Sequence, residues 1–228
     1  MKSNPVVAIA GVTGAVGAEF IATMDKRAFR VGKLKALASA RSAGKTIDFR
    51  GQKVMIEELN ESSFEGVDIA LFSAGGGISR KFTPIAVKAG AVVVDNSSAF
   101  RMDPNVPLVI PEINADRIGD HKGIIAVPNC AAITVLVPLW PIHRRNRIKR
   151  VILSTYQAAS GAGAAAMQEL VESTQACLNG QAFQPKAMPH PSSFHRYVRE
   201  GQLPEDWAGD VSEKEADFGE PAAGGSLP

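Results

Sequence analysis

The sequence predicts an α/β protein: a doubly wound, Rossmann-type dinucleotide-binding domain followed by part of a second domain. Three observations carry that expectation. A wholly apolar segment, Val6–Ala10, runs directly into the glycine-rich GVTGAVG of residues 11–17 and then into apolar residues at helical spacing, which is strand, turn and helix. Short apolar runs then alternate with helical patterns, the order that builds a mostly parallel sheet covered on both faces. The 228 residues, 45% hydrophobic and 21% charged, supply a sizeable core for one large domain and part of a second. That composition excludes a disordered, collagen-like or disulfide-dense chain as a whole.

After the first strand and helix, a second strand is expected at residues 34–38, followed by the polar stretch SARSAGK. Arg50-Gly51, between two short alternating segments around residues 49–54, predicts a hairpin. Residues 67–77 (VDIALFSAGGG) read as a strand ending in a glycine turn, residues 78–88 as a helix, and AVVVD at 91–95 as a buried strand. Further strands are expected at 108–110 and 123–127. Residues 131–140 are apolar enough for a buried helix, which Pro138 should end or kink. A basic cluster at 143–150 leads into a strand at 151–156, the loop QAASGAG and an amphipathic helix at 164–178.

The domain change is expected near Arg145. Residues 1–144 then form the nucleotide domain with its cysteine segment, 145–191 a partial second domain, and 192–228 a divergent tail. The 37 residues of that tail hold four Val or Leu and no Ile, and they carry several acid clusters. Such a segment can hardly bury enough apolar surface to offset its ordering entropy, so disorder is expected there.

With 25 basic against 23 acidic residues, the net charge of +2 gives no electrostatic case for nucleic acid or an anionic membrane, and a small-molecule partner fits better. The two cysteines, Cys130 and Cys177, are too few for a disulfide framework or a cysteine-based structural metal site, and they fit a reducing compartment. No run reaches the ~18 apolar residues of a membrane span. The chain enters strand-like sequence almost at once, leaving no room for a signal or transit peptide, so a cytoplasmic location is expected.

In GVTGAVG, Gly11 permits a tight turn, Gly14 a close approach of backbone to a pyrophosphate, and Gly17 close packing of helix on strand. Thr13, Ala15 and Val16 complete the loop, and the pyrophosphate would sit on the helix N-terminus. A glycine triplet alone also fits an ordinary strand-to-helix turn. After the second strand, where an NAD-selective site usually offers an acid, the chain offers Ser39, Arg41 and Ser42, a set suited to a 2′-phosphate and therefore to NADP. Arg41 would equally suit a solvated loop. Ser73 and Gly75, at the end of another strand, are placed to border the nicotinamide.

Asn129 stands at or near the N-cap of the helix that follows, with Cys130 in its first turn. The positive end of the helix dipole favours a thiolate there, as a nucleophile requires. By position alone, Cys130 fits a buried small hydrophobe as well. Cys177, in a helical pattern with no basic partner, reads as structural. His121 and His143 read as surface or helix-end residues, and His190 and His195 as solvated loop residues.

Taken together, GVTGAVG, LASARSAGK, FSAGGG, VVVDNSSAFRM, VPLVIPEIN, the Asn-Cys pair of VPNC and STYQAASGAG, in this order over residues 6–178, resemble the aspartate-semialdehyde dehydrogenase family. The resemblance implies NADP-dependent reductive dephosphorylation of β-aspartyl phosphate to aspartate semialdehyde, a step towards lysine, threonine and methionine. It implies that Cys130 is the nucleophile that forms a thioester and that Arg101 binds the substrate phosphate. Gln157 matches the family's active-site glutamine, Asn129 is set to polarise the thioester carbonyl, and Gly161 joins the cofactor-binding residues. The resemblance also implies that the second domain is an incomplete α+β substrate or dimerisation domain, through which a homodimer would form. A related acyl-phosphate reductase, such as the one acting on N-acetyl-glutamyl phosphate, shares fold and nucleophile and is the alternative enzyme. A non-catalytic NADP-binding module is the alternative outside enzymes.

The sequence departs from the family in three places. Ala131-Ala132 follows the cysteine where hydroxyl-bearing residues are common. The resemblance stops at about Pro191, and the family's motifs with a carboxylate-binding Arg and a catalytic His are not found. The chain therefore reads as a C-terminally truncated or divergent member. Loss of a general acid/base would cost ~10²–10⁴ in rate, and the family homodimer is left open.

Overall fold

The structure, a computed structural model, describes residues 2–155 and 157–188. In chain order it contains β1 (Val6–Ala10), α1 (Ala15–Lys26), β2 (Lys33–Ala38), β3 (Thr46–Phe49), β4 (Gln52–Glu58), β5 (Ile69–Phe72), α2 (Gly76–Lys88) and β6 (Val92–Asp95). There follow α3 (Pro111–Asn114), β7 (Ile124–Ala126), α4 (Cys130–Arg145) and α5 (Ala164–Leu178).

β1 is apolar at every position because both of its faces are buried. Val7 and Ile9 join one core with Met24 of α1, Leu34 and Ala36, whereas Ala8 and Ala10 join the other with Phe72, Phe82 and Ala86 of α2, and Val93. Alternation of side chains along the strand divides the two sets. The small alanines on the α2 face leave room for Phe64 and Phe72, whose rings stack with centroids 5.7 Å apart. Burying a phenyl ring of this kind contributes about 2–3 kcal/mol.

The sheet order is β3-β4-β2-β1-β5-β6-β7, and every neighbouring pair is parallel except β3 with β4. The doubly wound expectation is therefore met. So is the hairpin: Arg50 and Gly51 have φ of 55° and 75°, the paired left-handed conformations of a tight two-residue turn. Arginine is strained there, and its side chain offsets the strain. Its Nη2 donates to the carbonyls of Met24 in the last turn of α1 (3.0 Å) and of Phe29 just beyond that helix (2.8 Å), and the guanidinium lies 4.8 Å over the Phe49 ring.

Several elements differ from expectation. Residues 108–110 form a single parallel bridge, Leu108 with Ala126, instead of a strand. The Asn114 side chain takes over the free groups, donating to Leu108 O at 3.0 Å and accepting from Ile110 N at 2.8 Å, so no further strand is needed. α4 does not end at Pro138 but continues through it and Pro141 to Arg145. Both prolines are exposed, so the carbonyls they leave without partners stand on the solvent side of the helix. α4 is half-buried rather than buried, with only His143 fully enclosed. That histidine ends the helix as expected, yet it is not on the surface: its Nδ1 accepts from Ile148 N at 3.2 Å and its ring stacks on Trp140. His121 accepts from Gly123 N in a turn.

No strand forms over 151–155, and Ile152 is 81% exposed. β-branched residues favour an extended backbone, but no described strand lies alongside to complete a ladder. α5 has its expected bounds, between Gly163 and Gly180, both at positive φ. Cys177, read as structural, is exposed on its last turn and fills no core. Glu169 of α5 is buried, and its carboxylate accepts from the amides of Lys186 (2.6 Å), Ala187 (2.6 Å) and Met188 (2.9 Å). These bonds, Ala187's foremost, hold the carboxyl below its ordinary pKa against the opposing effect of burial. Tyr156, His190, His195 and the 192–228 tail lie outside the described residues. Among the described residues, no helix is long and apolar enough to cross a membrane.

Candidate active site

Because β2, β1, β5, β6 and β7 run parallel, their C-terminal ends share one edge of the sheet, and the candidate residues follow those ends. β1 and β7 are three strand spacings of about 4.8 Å apart, or about 14 Å along that edge. The order of strands reverses about β1, the position at which open α/β sheets bind ligands.

Gly11 has φ of +91°, and its amide and that of Val12 donate to Leu37 O at 3.0 and 3.2 Å. A Cβ on Gly11 would stand 2.4 Å from Ser73 O, so the loop after β1 lies directly against the end of β5. A Cβ on Gly17 would stand 2.4 Å from Gly11 O and 2.6 Å from Val12 O, so helix and loop touch backbone to backbone. Gly14 is the N-cap of α1; its amide donates to Gly11 O at 3.0 Å, and it brings no side chain to the first-turn amides. No acid stands in that turn to compete with an anion. Thr13, Ala15 and Val16 are exposed along the rim. Gly75, at φ of +89°, caps α2 with open space where a Cβ would be. Backbone held this close, with open amides and little side-chain bulk, fits the pyrophosphate of a dinucleotide.

Ser39, Arg41 and Ser42 lie in a tight turn after β2, with Ser42 N donating to Ser39 O at 2.9 Å. Ser39 and Arg41 are exposed, and no described carboxylate pairs with the guanidinium. The Ser42 side chain is buried, so the turn presents its hydroxyl less openly than the sequence implies.

β7 ends in the Pro128-Asn129 turn that starts α4. Asn129 is the N-cap, and its Oδ1 accepts from Ala131 N at 2.8 Å. The Cys130 thiol is exposed, 3.9 Å from the same Oδ1, which removes the buried-hydrophobe alternative. Arg101 is 8% exposed; its Nε donates to Val127 O (2.9 Å) and its Nη2 to Asn96 O (3.2 Å). The guanidinium thus spans the ends of β6 and β7, two residues before Asn129. Gln157 is exposed in the segment before a short 3-10 turn, Ala159–Ala162, that contains Gly161. Neither residue is hydrogen-bonded to Cys130. The structure therefore sets the loop after β1, Ser73, Arg101, Asn129 and Cys130 along one edge, and the thiol's hydrogen-bond partner there is Asn129 rather than Gln157.

The sequence reading passed over Asp95, Ser79 and Ser97, which form a buried cluster behind Arg101. One signal was present: an aspartate closing a wholly β-branched strand has to be buried with partners.

Comparison with known proteins agrees with this geometry. Residues 6–121 match the family described as "Semialdehyde dehydrogenase, NAD binding domain", and residues 139–195 match "Semialdehyde dehydrogenase, dimerisation domain". The aspartate-semialdehyde dehydrogenase of Bacillus subtilis is 50% identical over 183 residues, covering 80% of this chain and 53% of the relative. That of Synechocystis is 49% identical over 197 residues, covering 86% and 58%. The crystal structure of aspartate semialdehyde dehydrogenase II from Vibrio cholerae, complexed with ASA, superposes with a TM-score of 0.80 at 43% identity, covering 85% of this chain and 58% of that one. The chain spans little more than half the length of these relatives.

Proposed function

Since the chain belongs to the aspartate-semialdehyde dehydrogenase family, we propose that it contributes the dinucleotide site and the nucleophile of an NADP-dependent aspartate-semialdehyde dehydrogenase. One observation carries this reading: an exposed cysteine opens α4 at the same sheet edge as the glycine loop after β1. Cys130 attacks the acyl carbon of β-aspartyl phosphate, the C–O bond to phosphate breaks, and a thioester remains. Arg101 holds the phosphate as it leaves, for which a forked donor is suited. Asn129, beside the sulfur, orients the thioester carbonyl. A nicotinamide dinucleotide, when bound, supplies the hydride that takes the thioester to the aldehyde and frees the thiol.

The dinucleotide would lie over Gly11, Gly14 and Gly17 with Thr13, Ala15 and Val16, bordered by Ser73 and Gly75. Ser39, Arg41 and Ser42 would favour the 2′-phosphate of NADP over NAD. Gln157 and Gly161 would close over the substrate from residues 145–191, and the same segment would supply the homodimer contact that the second family match names. A place in the synthesis of lysine, threonine and methionine would follow from the reaction, and a cytoplasmic location is part of the same proposal.

The chain is incubated with aspartate semialdehyde, NADP⁺ and phosphate, and the reduced nicotinamide is followed by absorbance. Phosphate-dependent reduction that Cys130→Ala abolishes supports the proposal. NADP⁺ binding without turnover supports the non-catalytic module instead, and turnover only with N-acetylglutamate semialdehyde supports the related reductase.

A further inference from the structure

We propose that Asp95 is a positioning residue for Arg101, and through it for the phosphate subsite beside Cys130; the second half rests on the reading of Arg101 given above. Asp95 is the last residue of β6 and is fully buried. Its carboxylate collects three donors: Ser79 Oγ of α2 at 3.1 Å and Ser97 N at 2.8 Å on Oδ1, and Ser97 Oγ at 3.0 Å on Oδ2. Ser97 Oγ itself accepts from Ala99 N at 3.1 Å, so its own hydrogen is directed to Asp95. A group that only accepts is what three converging donors require. The carboxylate therefore closes the turn that follows β6 and joins that turn to α2.

Arg101 returns from this same turn. Its Nη2 donates back to Asn96 O, the residue between Asp95 and Ser97, and its Nε to Val127 O. The Asp95 carbonyl meets the other end of that connection, accepting from Val127 N at 2.9 Å. The Asp95 side chain thus closes the turn that carries the Asn96 carbonyl, while its backbone carbonyl meets the strand end that carries Val127. A buried carboxylate and a buried guanidinium share one short loop, yet they do not pair with each other, and no described carboxylate pairs with Arg101. A direct ion pair would neutralise the arginine. Holding it by neutral carbonyls leaves its charge uncompensated, and three of a guanidinium's five N–H groups are not used by these two bonds. That arrangement suits an arriving dianion such as phosphate.

The test compares the full chain with Asp95→Asn, which keeps shape but sets a donor against donors, and with the milder Ser97→Ala. Inorganic phosphate and NADP⁺ affinities are measured by titration, and the Arg101 Nε–H is followed by arginine-selective NMR. Asp95→Asn is expected to weaken phosphate binding about tenfold while NADP⁺ affinity changes no more than about twofold. The slowly exchanging Nε–H signal is expected to be lost, and Ser97→Ala should fall between the two. Equal phosphate affinity in all three proteins, or parallel losses of phosphate and NADP⁺, would overturn the proposal, because a merely structural defect moves both ligands. Arg101→Ala separates the two layers. If it leaves phosphate binding unchanged, or if the unaltered chain binds no phosphate, the phosphate role of Arg101 fails. The Nε–H signal then decides the positioning role alone: lost in Asp95→Asn it stands, retained it falls.

Discussion

The stretch from β1 to β7 and the stretch after Arg145 are held together by different means. In the first, parallel strands bury both faces, and two apolar cores lie beneath α1 and α2. In the second, the buried described residues are Ala166, Glu169 and Ser173, while Val151, Ile152 and Leu153 stand exposed. The first is ordered by apolar burial, the second by one carboxylate that ties the 186–188 backbone to α5. Cys130 opens the helix that leads from one to the other. Cys130 therefore takes its position from the end of β7 in the well-packed region, and the helix it opens runs on to a region whose order rests on few contacts.

Substitutions that break this contrast should differ widely in effect. Phe72→Ala empties a fully buried ring site stacked on Phe64, and urea denaturation should show a loss of about 3–5 kcal/mol. Ile152→Ala, an aliphatic truncation in the other region, should stay within about 0.5 kcal/mol; a loss comparable to Phe72→Ala would mean that residues 151–153 are packed after all. Gly17→Ala forces a Cβ against two backbone carbonyls and should cost about 1–3 kcal/mol, with a clear loss of dinucleotide affinity by fluorescence titration. Arg50→Ala removes the clamp between the hairpin and the end of α1, and thermal unfolding should report about 1 kcal/mol.

The smallest global effect and the sharpest local one concern acid. Asp68 is held below its ordinary pKa mainly by its hydrogen bond to Lys2, then by the Val6 amide; Glu169 is held below it mainly by the Ala187 amide. A carboxyl depressed in the folded state contributes stability above its ordinary pKa and loses it as pH falls through the depressed value. Protonating Asp68 releases one amide at the head of β1, which the sheet still holds. Protonating Glu169 releases three consecutive amides. Hydrogen exchange at Lys186, Ala187 and Met188 should therefore accelerate on acidification, corrected for intrinsic rates, before exchange in β1 does. Glu169→Gln should show the fast exchange already at neutral pH. Equal behaviour of the two segments would erase the contrast.

Local signals made most of the nucleotide region legible. Glycines 11 and 17 mark a turn whose backbone contacts only glycine permits, and Arg50-Gly51 marks a turn with two left-handed residues. Asn129 announced its own cap, which placed Cys130 correctly at the head of a helix. What escaped depends on residues distant in sequence. The burial of Arg101 follows from a carbonyl twenty-six residues away, and the role of Asp95 from a serine sixteen residues earlier. Pro138 does not end α4, because a proline on the wet side of a helix costs less than one facing a core. The run at 151–155 has the composition of a strand, but a strand also requires a neighbour, and composition cannot supply one.

The most direct test of the central claim is the mass of the protein after brief incubation with β-aspartyl phosphate in the absence of reduced dinucleotide, followed by peptide mapping of the two cysteines. One aspartyl group on Cys130, absent from Cys177 and lost in Cys130→Ala, is the predicted result. No adduct, or equal labelling of Cys130 and Cys177, would contradict it.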